Sequence, residues 1–333
     1  MAHEAEPPLK ILPFKSPDFP ADTRLRVFHT EYHVNSVLLK MQSKFFRAFL
    51  DSAEKAASLP ACSEFKYEWV TKIDYDDTNE WSLVSATSPR LSINDASFTG
   101  NKQQEVWDFE IILRAIYGCP LFIRDRNQLC RVTKLADYYD ALRILSRSLD
   151  CPGQRYDLKH MNLWEDPCGM LRIAKKLRNA TLFQECLTLS AGPLSGPKFF
   201  ELQFSVPELF KLALSVTGQI RVAMVEAHNC LMQHLEKLRE ENPSLNQEMQ
   251  NYLDCILTKN PLPHVYNKLW HFQSIICLDD WPFRKAGSPM SNLLRSSLVI
   301  NDHAEAGKGE FEDHFLCADF DKVKLPWNVV DND

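Results

Sequence analysis

The segment 64–74 alternates apolar and polar side chains, and this pattern constrains the fold more than any other feature of the chain. Successive side chains of a β-strand point to opposite faces. One face would hold Phe65, Tyr67, Trp69, Thr71 and Ile73. A weaker version of the pattern follows at 80–86, after a turn rich in Asp and Asn. Residues 64–86 are therefore predicted to form a β-hairpin.

Residues 24–34 predict an earlier hairpin, because apolar and polar side chains alternate on both sides of a turn placed at residues 29–31. The run that follows, up to Leu50, is too apolar for one amphipathic helix. We predict a short buried helix at 37–41 and a second helix that begins at Ser43, a favourable capping residue. Phe45, Phe46 and Phe49 of the second helix are expected to enter the core.

Helices dominate the rest of the chain. A helix at 105–118 ends at Gly118, and two shorter helices split near Asp140 precede a composition break at 150–157. Beyond the break, Asp166 and Pro167 begin a pair of helices, and Ser205 with Glu208 has the spacing of a capping box before a long helix that runs to about residue 241. Two more helices are predicted at 242–257 and 263–278.

These patterns divide the chain into four parts. Residues 1–22 contain five prolines and are expected to be a disordered arm. Residues 23–150 form the first domain, 151–283 form a helical domain, and 284–333 form a weakly structured acidic tail. The long apolar stripe after Leu209 is assigned to packing within the helical domain, with a coiled coil to a second chain as the alternative.

Composition excludes several classes of protein. The net charge of −6 gives no overall attraction to nucleic acid or to anionic membranes. The basic cluster at 174–178 is interpreted as the solvated face of a helix, with a nucleic-acid patch as the alternative. The ten cysteines have no zinc-site spacing, and no signal peptide or membrane-spanning run occurs. The sequence predicts an intracellular protein of the cytoplasm or nucleus.

The chain also lacks the usual motifs for nucleophilic, nucleotide or zinc-hydrolase chemistry. We therefore predict no catalytic residue, no cofactor and no metal, and a protein that is not an enzyme.

The order of the elements and several short motifs resemble a BTB/POZ domain over residues 24–150. The first three motifs are an aromatic-x-apolar strand, a Leu-Leu helix and a Ser-x-aromatic-Phe helix. The later motifs are one helix with a phenylalanine and a tyrosine, and a following helix with an alanine and a tyrosine. They correspond here to Tyr32, Val34, Leu38, Leu39, Ser43, Phe45, Phe46, Phe109, Tyr117, Ala136 and Tyr139. Residues 177–183 are similar to the helical region that follows this domain in many proteins of filamentous fungi.

The resemblance implies an α/β (α+β) BTB/POZ-like domain followed by an all-α helical domain. It also implies a non-enzymatic scaffold that recruits a protein partner, either a different protein or a second copy of the chain. The alternatives are a substrate adaptor of a cullin-type ubiquitin ligase and a transcription-associated regulator. Neither nucleic acid nor a membrane is expected as a partner.

Three features depart from the family pattern. Asn35 occupies the position of a common histidine. The proline-rich arm cannot supply the N-terminal helix that many dimers of the family use. Only Cys62, Ser63 and Glu64 could serve as the apolar-x-Glu motif typical of cullin-binding members.

Overall fold

The computed structural model describes residues 8–52, 64–74, 79–87, 97–241, 260–272 and 287–327, together with isolated residues between 243 and 254. The chain divides into two compact units, Met1–Asp157 and Leu158–Asp333, whereas the sequence places the domain boundary after residue 150. The predicted fold class is confirmed at the coarse level: a mixed five-stranded sheet comes first and many helices follow.

The sheet of the first unit has the strand order β1-β3-β2-β4-β5. The strands are β1 (Lys10–Pro13), β2 (Thr23–Val27), β3 (Thr30–Val34), β4 (Tyr67–Ile73) and β5 (Trp81–Ser85). The pairs β2–β3 and β4–β5 are antiparallel, while β1–β3 and β2–β4 are parallel. The chain between the parallel strands β2 and β4 passes through β3 and two short helices, α1 (Ser36–Gln42) and α2 (Lys44–Phe49).

Both predicted hairpins are confirmed, with one correction. Val27 pairs with Thr30, so the first turn consists of Phe28 and His29 rather than residues 29–31. So short a turn requires positive φ, and Phe28 has φ of 50°. Its ring is buried and its N–H donates to Thr71 Oγ1 over 2.9 Å, which holds the turn against β4.

The expectation of a disordered arm is wrong for part of the segment 8–22, because β1 pairs with β3 as an edge strand. Proline is tolerated in an edge strand, where one side of the backbone needs no partner. The ring of Phe14 lies 5.1 Å from that of Tyr117, which ties the segment to the helical layer.

Three helices complete the sheet domain: α3 (Lys102–Ile116), α4 (Arg126–Tyr138) and α5 (Leu142–Leu149). They confirm the predicted order, including the stop at Gly118, which has φ of 64°, and the break at Asp140, which has φ of 49°. α6 (Pro152–Lys159) follows and begins within the segment that the sequence marks as a break.

The second unit is helical, with α7 (Pro167–Leu177), α8 (Ala180–Ala191), α9 (Pro207–Glu241), α10 (Leu262–Phe272) and α11 (Pro289–Leu294). Asp166 caps α7 and Pro167 is its first residue, as predicted. The prediction of a capping box at the start of α9 is wrong. Ser205 precedes the helix by two residues and its hydroxyl donates to the carbonyl of Glu201, while Glu208 forms an ion pair with Lys175.

Residues 287–327 correct the prediction of a weakly structured tail. Phe311, Phe315 and Leu316 are buried, and the side chain of Asn267 donates to the carbonyl of Ala306 over 2.8 Å. Gly307 has φ of 77°, and a Cβ there would lie 2.2 Å from the carbonyl oxygen of Pro263, so only glycine fits. The tail lacks regular periodicity because irregular backbone, rather than helix, brings these apolar side chains into the core.

Most of the predicted helix at 242–257 and the end of the one at 263–278 lie outside the described residues. Within the part of the chain that the structure describes, no helix combines the length and the apolar character needed to cross a membrane.

A buried histidine makes the stability of the second unit depend on pH. His314 is 8% exposed, and neither ring nitrogen has a hydrogen-bond partner among the described residues. Burial lowers the pKa of this imidazole from 6.5 to about 4. The unfolded chain protonates this imidazole more readily than the folded chain does. The folded state therefore has its full stability above pH 6.5 and loses stability as the pH falls toward 4.

We expect His314→Phe to remove this pH dependence, since phenylalanine preserves a ring against Phe311 without titrating. The free energy of unfolding of the wild type, minus that of the variant, should fall by about 2 kcal/mol between pH 7.5 and pH 5. Urea titrations at both pH values measure the difference. Parallel pH profiles for the two proteins would show that His314 is not the titrating group.

Candidate interaction surface

Most of the predicted signature residues form the core of the first unit. The rings of Tyr32, Phe109, Tyr139 and Phe46 follow one another at centroid distances of 5.7, 5.4 and 5.6 Å, and all four side chains are buried. Val34, Leu39 and Ala136 are also buried, while Leu38, Phe45 and Tyr117 are half-buried. These side chains hold α1 and α2 against the sheet and the later helices.

Ser43 joins the two short helices to this core. Its hydroxyl accepts the N–H of Phe46 over 3.1 Å, as an N-cap does, and donates to the carbonyl of Tyr139 over 2.5 Å. One side chain thus begins α2 and fixes it to the end of α4. The predicted capping role of Ser43 is confirmed.

Asn35, the residue that departs from the family pattern, caps α1. Its side-chain oxygen accepts the N–H groups of Val37 and Leu38 at 2.9 and 3.3 Å. Its own backbone N–H donates to the hydroxyl of Tyr117 over 2.6 Å. Asparagine therefore supplies a local cap for α1.

Asp22 is a second anchor, which sequence reasoning missed. Its carboxylate accepts both the N–H and the hydroxyl of Ser36 at 2.6 Å each. An acidic residue near the positive end of a helix is stabilising, and Asp22 immediately precedes β2. The available signal was an aspartate two residues before the alternating pattern, but nothing in the sequence connects it to Ser36.

Several apolar side chains of the two short helices are exposed, beside the exposed Lys44 and Arg47, which corrects the prediction that these helices are buried. Val37 and Met41, one turn apart on α1, are 44% and 59% exposed, and Phe49 on α2 is 39% exposed. Tyr138, at the end of α4, is 52% exposed. We call Val37, Met41, Phe45, Phe49 and Tyr138 the α1–α2 surface.

Phe45 connects this surface to the core. Its ring lies 4.8 Å from Phe49 and 5.6 Å from Tyr138 on the exposed side, and 5.0 Å from Tyr139 on the buried side. The exposed rings of Phe49 and Tyr138 are thus continuous with the buried rings of the core through Phe45. Contiguous apolar surface of this kind marks sites of protein contact.

Two ion pairs border the surface, and each contributes one cation and one anion. The ammonium of Lys40 lies 2.8 Å from Asp51, and that of Lys44 lies 3.6 Å from Asp140. Hydrogen bonds from Lys40 and Tyr67 lower the pKa of the Asp51 carboxyl, so this carboxylate stays ionised at neutral pH. An apolar centre with a charged border is the usual anatomy of a protein interface.

Arg47 stiffens the pair of helices. Its guanidinium donates from α2 to the carbonyls of Lys40 and Met41 at the end of α1, over 3.0 and 3.4 Å. These carbonyls belong to the last turn of α1, where helical partners are lacking. The exposed side chains therefore project from a fixed backbone rather than from a loop.

The second unit contains a small cleft of about 170 Å³ that includes a buried carboxylate, Glu185. Glu185 Oε2 accepts the N–H groups of Val299 and Ile300 at 2.8 and 3.0 Å, and Oε1 accepts that of Asn301 at 2.9 Å. Burial raises the pKa of the Glu185 carboxyl, and the three N–H donors oppose this shift. Because both oxygens hold the backbone of residues 299–301, the role of the carboxylate is structural.

In the described ranges no group of three or more His, Cys, Asp or Glu side chains could hold a metal ion. Cys62 and Ser63, which bear on the cullin alternative, lie outside the described residues.

Comparisons with protein-family models, curated proteins and solved structures found no match. Any function proposed for the chain therefore depends on the geometry above and on the resemblance of its sequence motifs.

Proposed function

We propose that the chain is a non-enzymatic protein–protein interaction scaffold whose first unit is a BTB/POZ domain. The observation that supports this most directly is the α1–α2 surface, in which exposed apolar side chains are fixed on a buried aromatic core. The order of hairpin, short helices, hairpin and helices supports the same proposal, as do the positions of the signature side chains within it.

The partner we propose for this surface is a second copy of the chain. A two-fold contact brings the same patch of each copy together, so the patch must be complementary to itself. An apolar centre meets this condition, and the border offers both cations and anions, through Lys40 and Asp51 and through Lys44 and Asp140. No N-terminal helix is needed for such a contact.

We expect Met41→Asp to weaken self-association by about a hundredfold or more. Met41 would be buried twice in a two-fold contact, and each buried methionine contributes about 1.5–3 kcal/mol, where every 1.4 kcal/mol is tenfold in affinity. Sedimentation velocity of the full chain over a concentration series measures the effect. Val222→Asp, at a position that is 60% exposed on α9, is the matched control and should leave association unchanged.

Two results would contradict the proposal. Equal dissociation of the Met41 and Val222 variants would mean that the α1–α2 surface is not the contact. The second result has two parts. The wild-type chain stays monomeric, and a pull-down recovers the same proteins with the wild type and with the Met41→Asp variant. Together these findings would show that the α1–α2 surface has no role in interaction.

A further inference from the structure

The long helix α9 carries apolar side chains on two opposite sides. It packs against α8 and α11. One row of its apolar residues is buried: Leu209, Ala213, Val216, Ile220, Ala227, Leu231 and Leu235. The apolar residues on the other side are between 45% and 60% exposed: Leu214, Val222, Val225 and Met232. We call these four residues, together with Gly218 and Asn229 between them, the α9 seam.

The α9 seam has the spacing of a coiled coil. Intervals of four and three residues alternate along positions 218, 222, 225, 229 and 232. Apolar residues at these intervals keep one side of a helix facing a partner helix. All five positions are exposed, so the partner of this seam lies outside the second unit.

The two edges of the α9 seam carry opposite charges. Arg221 is on one edge, immediately before Val222, and Glu226 is on the other edge, immediately after Val225. These are the g and e positions of the heptad, whose charges select the partner and its orientation in coiled coils. Both charged residues are exposed, and neither forms an ion pair or a hydrogen bond with another described residue. Their charges are therefore available to a second helix.

Gly218 and Asn229 also favour a partner helix. Glycine destabilises the interior of a helix, and a Cβ added at Gly218 would meet no atom within 4 Å among the described residues. Packing within the chain therefore does not require glycine here, whereas a large side chain of a partner could occupy the space. Asn229 is at an a position, where a single asparagine specifies the register and the number of helices in a coiled coil.

We propose that the α9 seam binds an amphipathic helix of another protein in a parallel two-stranded coiled coil. The partner helix has apolar residues along its own seam, with a large one opposite Gly218 and an asparagine opposite Asn229. It places an acidic side chain beside Arg221 and a basic side chain beside Glu226. The α9 seam is about 27 Å long, at 1.5 Å per residue.

A second copy of the chain fits the α9 seam less well than a foreign helix. In a parallel pair of copies, Gly218 would face Gly218 and Asn229 would face Asn229, so only three apolar layers would remain, at Val222, Val225 and Met232. The proposed function already places a two-fold contact at the α1–α2 surface. A second two-fold contact would extend the assembly from copy to copy unless it closed as a tetramer. This last reason rests on the proposed function, whereas the seam, its charges and Gly218 do not.

The test uses the full chain and two fluorescein-labelled peptides of about 21 residues, long enough to form a helix on binding. The matched peptide has leucines along its seam, a phenylalanine opposite Gly218, an asparagine opposite Asn229, glutamates at its e positions and lysines at its g positions. In the second peptide the glutamates and lysines are exchanged. Fluorescence anisotropy, at a concentration where each peptide alone is monomeric, should show that the matched peptide binds about tenfold or more tightly than the second.

Two variants of the chain locate the binding site. Val222→Asp places a charge in the seam and should weaken binding of the matched peptide by about tenfold or more, whereas Met41→Asp should leave it unchanged. The double variant Arg221→Glu, Glu226→Arg keeps the net charge of the chain and should reverse the preference between the two peptides. Because the three substituted residues of α9 are exposed, the fold of the second unit should be retained.

Equal binding of the two peptides, no binding of either, or a preference that the double variant does not reverse would overturn the proposal. So would dissociation of the self-associated chain by Val222→Asp, since a second copy would then cover the α9 seam. Failure of Met41→Asp to weaken self-association would contradict the proposed function alone, because peptide binding to α9 does not depend on the α1–α2 surface.

Discussion

Replacing Glu185 with alanine is expected to lower the free energy of unfolding of the second unit by about 3 kcal/mol or more. The carboxylate is 1% exposed and is the acceptor for three consecutive backbone N–H groups. Removal of the acceptor leaves those donors without this partner, at a cost of about 1–3 kcal/mol for a fully buried group such as the N–H of Ile300 and less for those of Val299 and Asn301, which are partly exposed. The cost of burying the charge disappears in the variant and offsets part of this loss.

Glu185→Gln is the informative companion. The amide keeps the volume of the side chain, and its oxygen can still accept from Val299 and Ile300. Its NH₂ group would face the N–H of Asn301, so one hydrogen bond becomes a contact between two donors. We expect a loss of about 1–2 kcal/mol, between the wild type and the alanine variant.

Hydrogen exchange measures the effect where it should occur. The amides of Val299, Ile300 and Asn301 should exchange faster in Glu185→Ala than in the wild type. In Glu185→Gln, the amides of Val299 and Ile300 should keep the slow exchange of the wild type. The first unit should be unaffected, because none of the three amides belongs to it. Unchanged exchange at these amides in the alanine variant would show that the carboxylate does not hold the segment.

Glu185 illustrates what the sequence could not predict. The alternation at 24–34, 64–74 and 80–86 and the proline and glycine stop signals predict β2 to β5 and most helices, because these signals act over a few residues. Residues 299–301 lie more than a hundred positions from Glu185, and no local pattern connects them. The sequence therefore predicts a weakly structured tail, although apolar side chains of residues 287–327 are in the core.

The α1–α2 surface was missed for a different reason. The run from Val37 to Leu50 has apolar side chains on more than one side of each helix, so periodicity alone does not separate the apolar side chains that pack from those that remain exposed. The distinction depends on which side the sheet and α4 cover, and that is a tertiary property. Phe46 and Phe49 have the same chemistry and differ only in this respect.

This pair allows the largest change in stability to be predicted with an internal control. Phe46 is fully buried and its ring stacks on Tyr139 at 5.6 Å with an interplanar angle of 7°, whereas Phe49 is 39% exposed on the same helix. Phe46→Ala should destabilise the first unit by about 3–5 kcal/mol, because it removes a buried ring and leaves a cavity. Phe49→Ala makes the same chemical change and should cost about 1 kcal/mol or less.

Urea titration followed by hydrogen exchange of α1 and α2 distinguishes the two variants, since a chain of two units need not unfold in one step. Phe46→Ala should also abolish self-association, because α2 would no longer hold its exposed side chains in place. Phe49→Ala should weaken self-association while leaving the unit folded, so the two substitutions separate the framework of the surface from its contact. If both variants lost equal stability, Phe49 would be as buried as Phe46. Phe49 would then belong to the core and not to the α1–α2 surface.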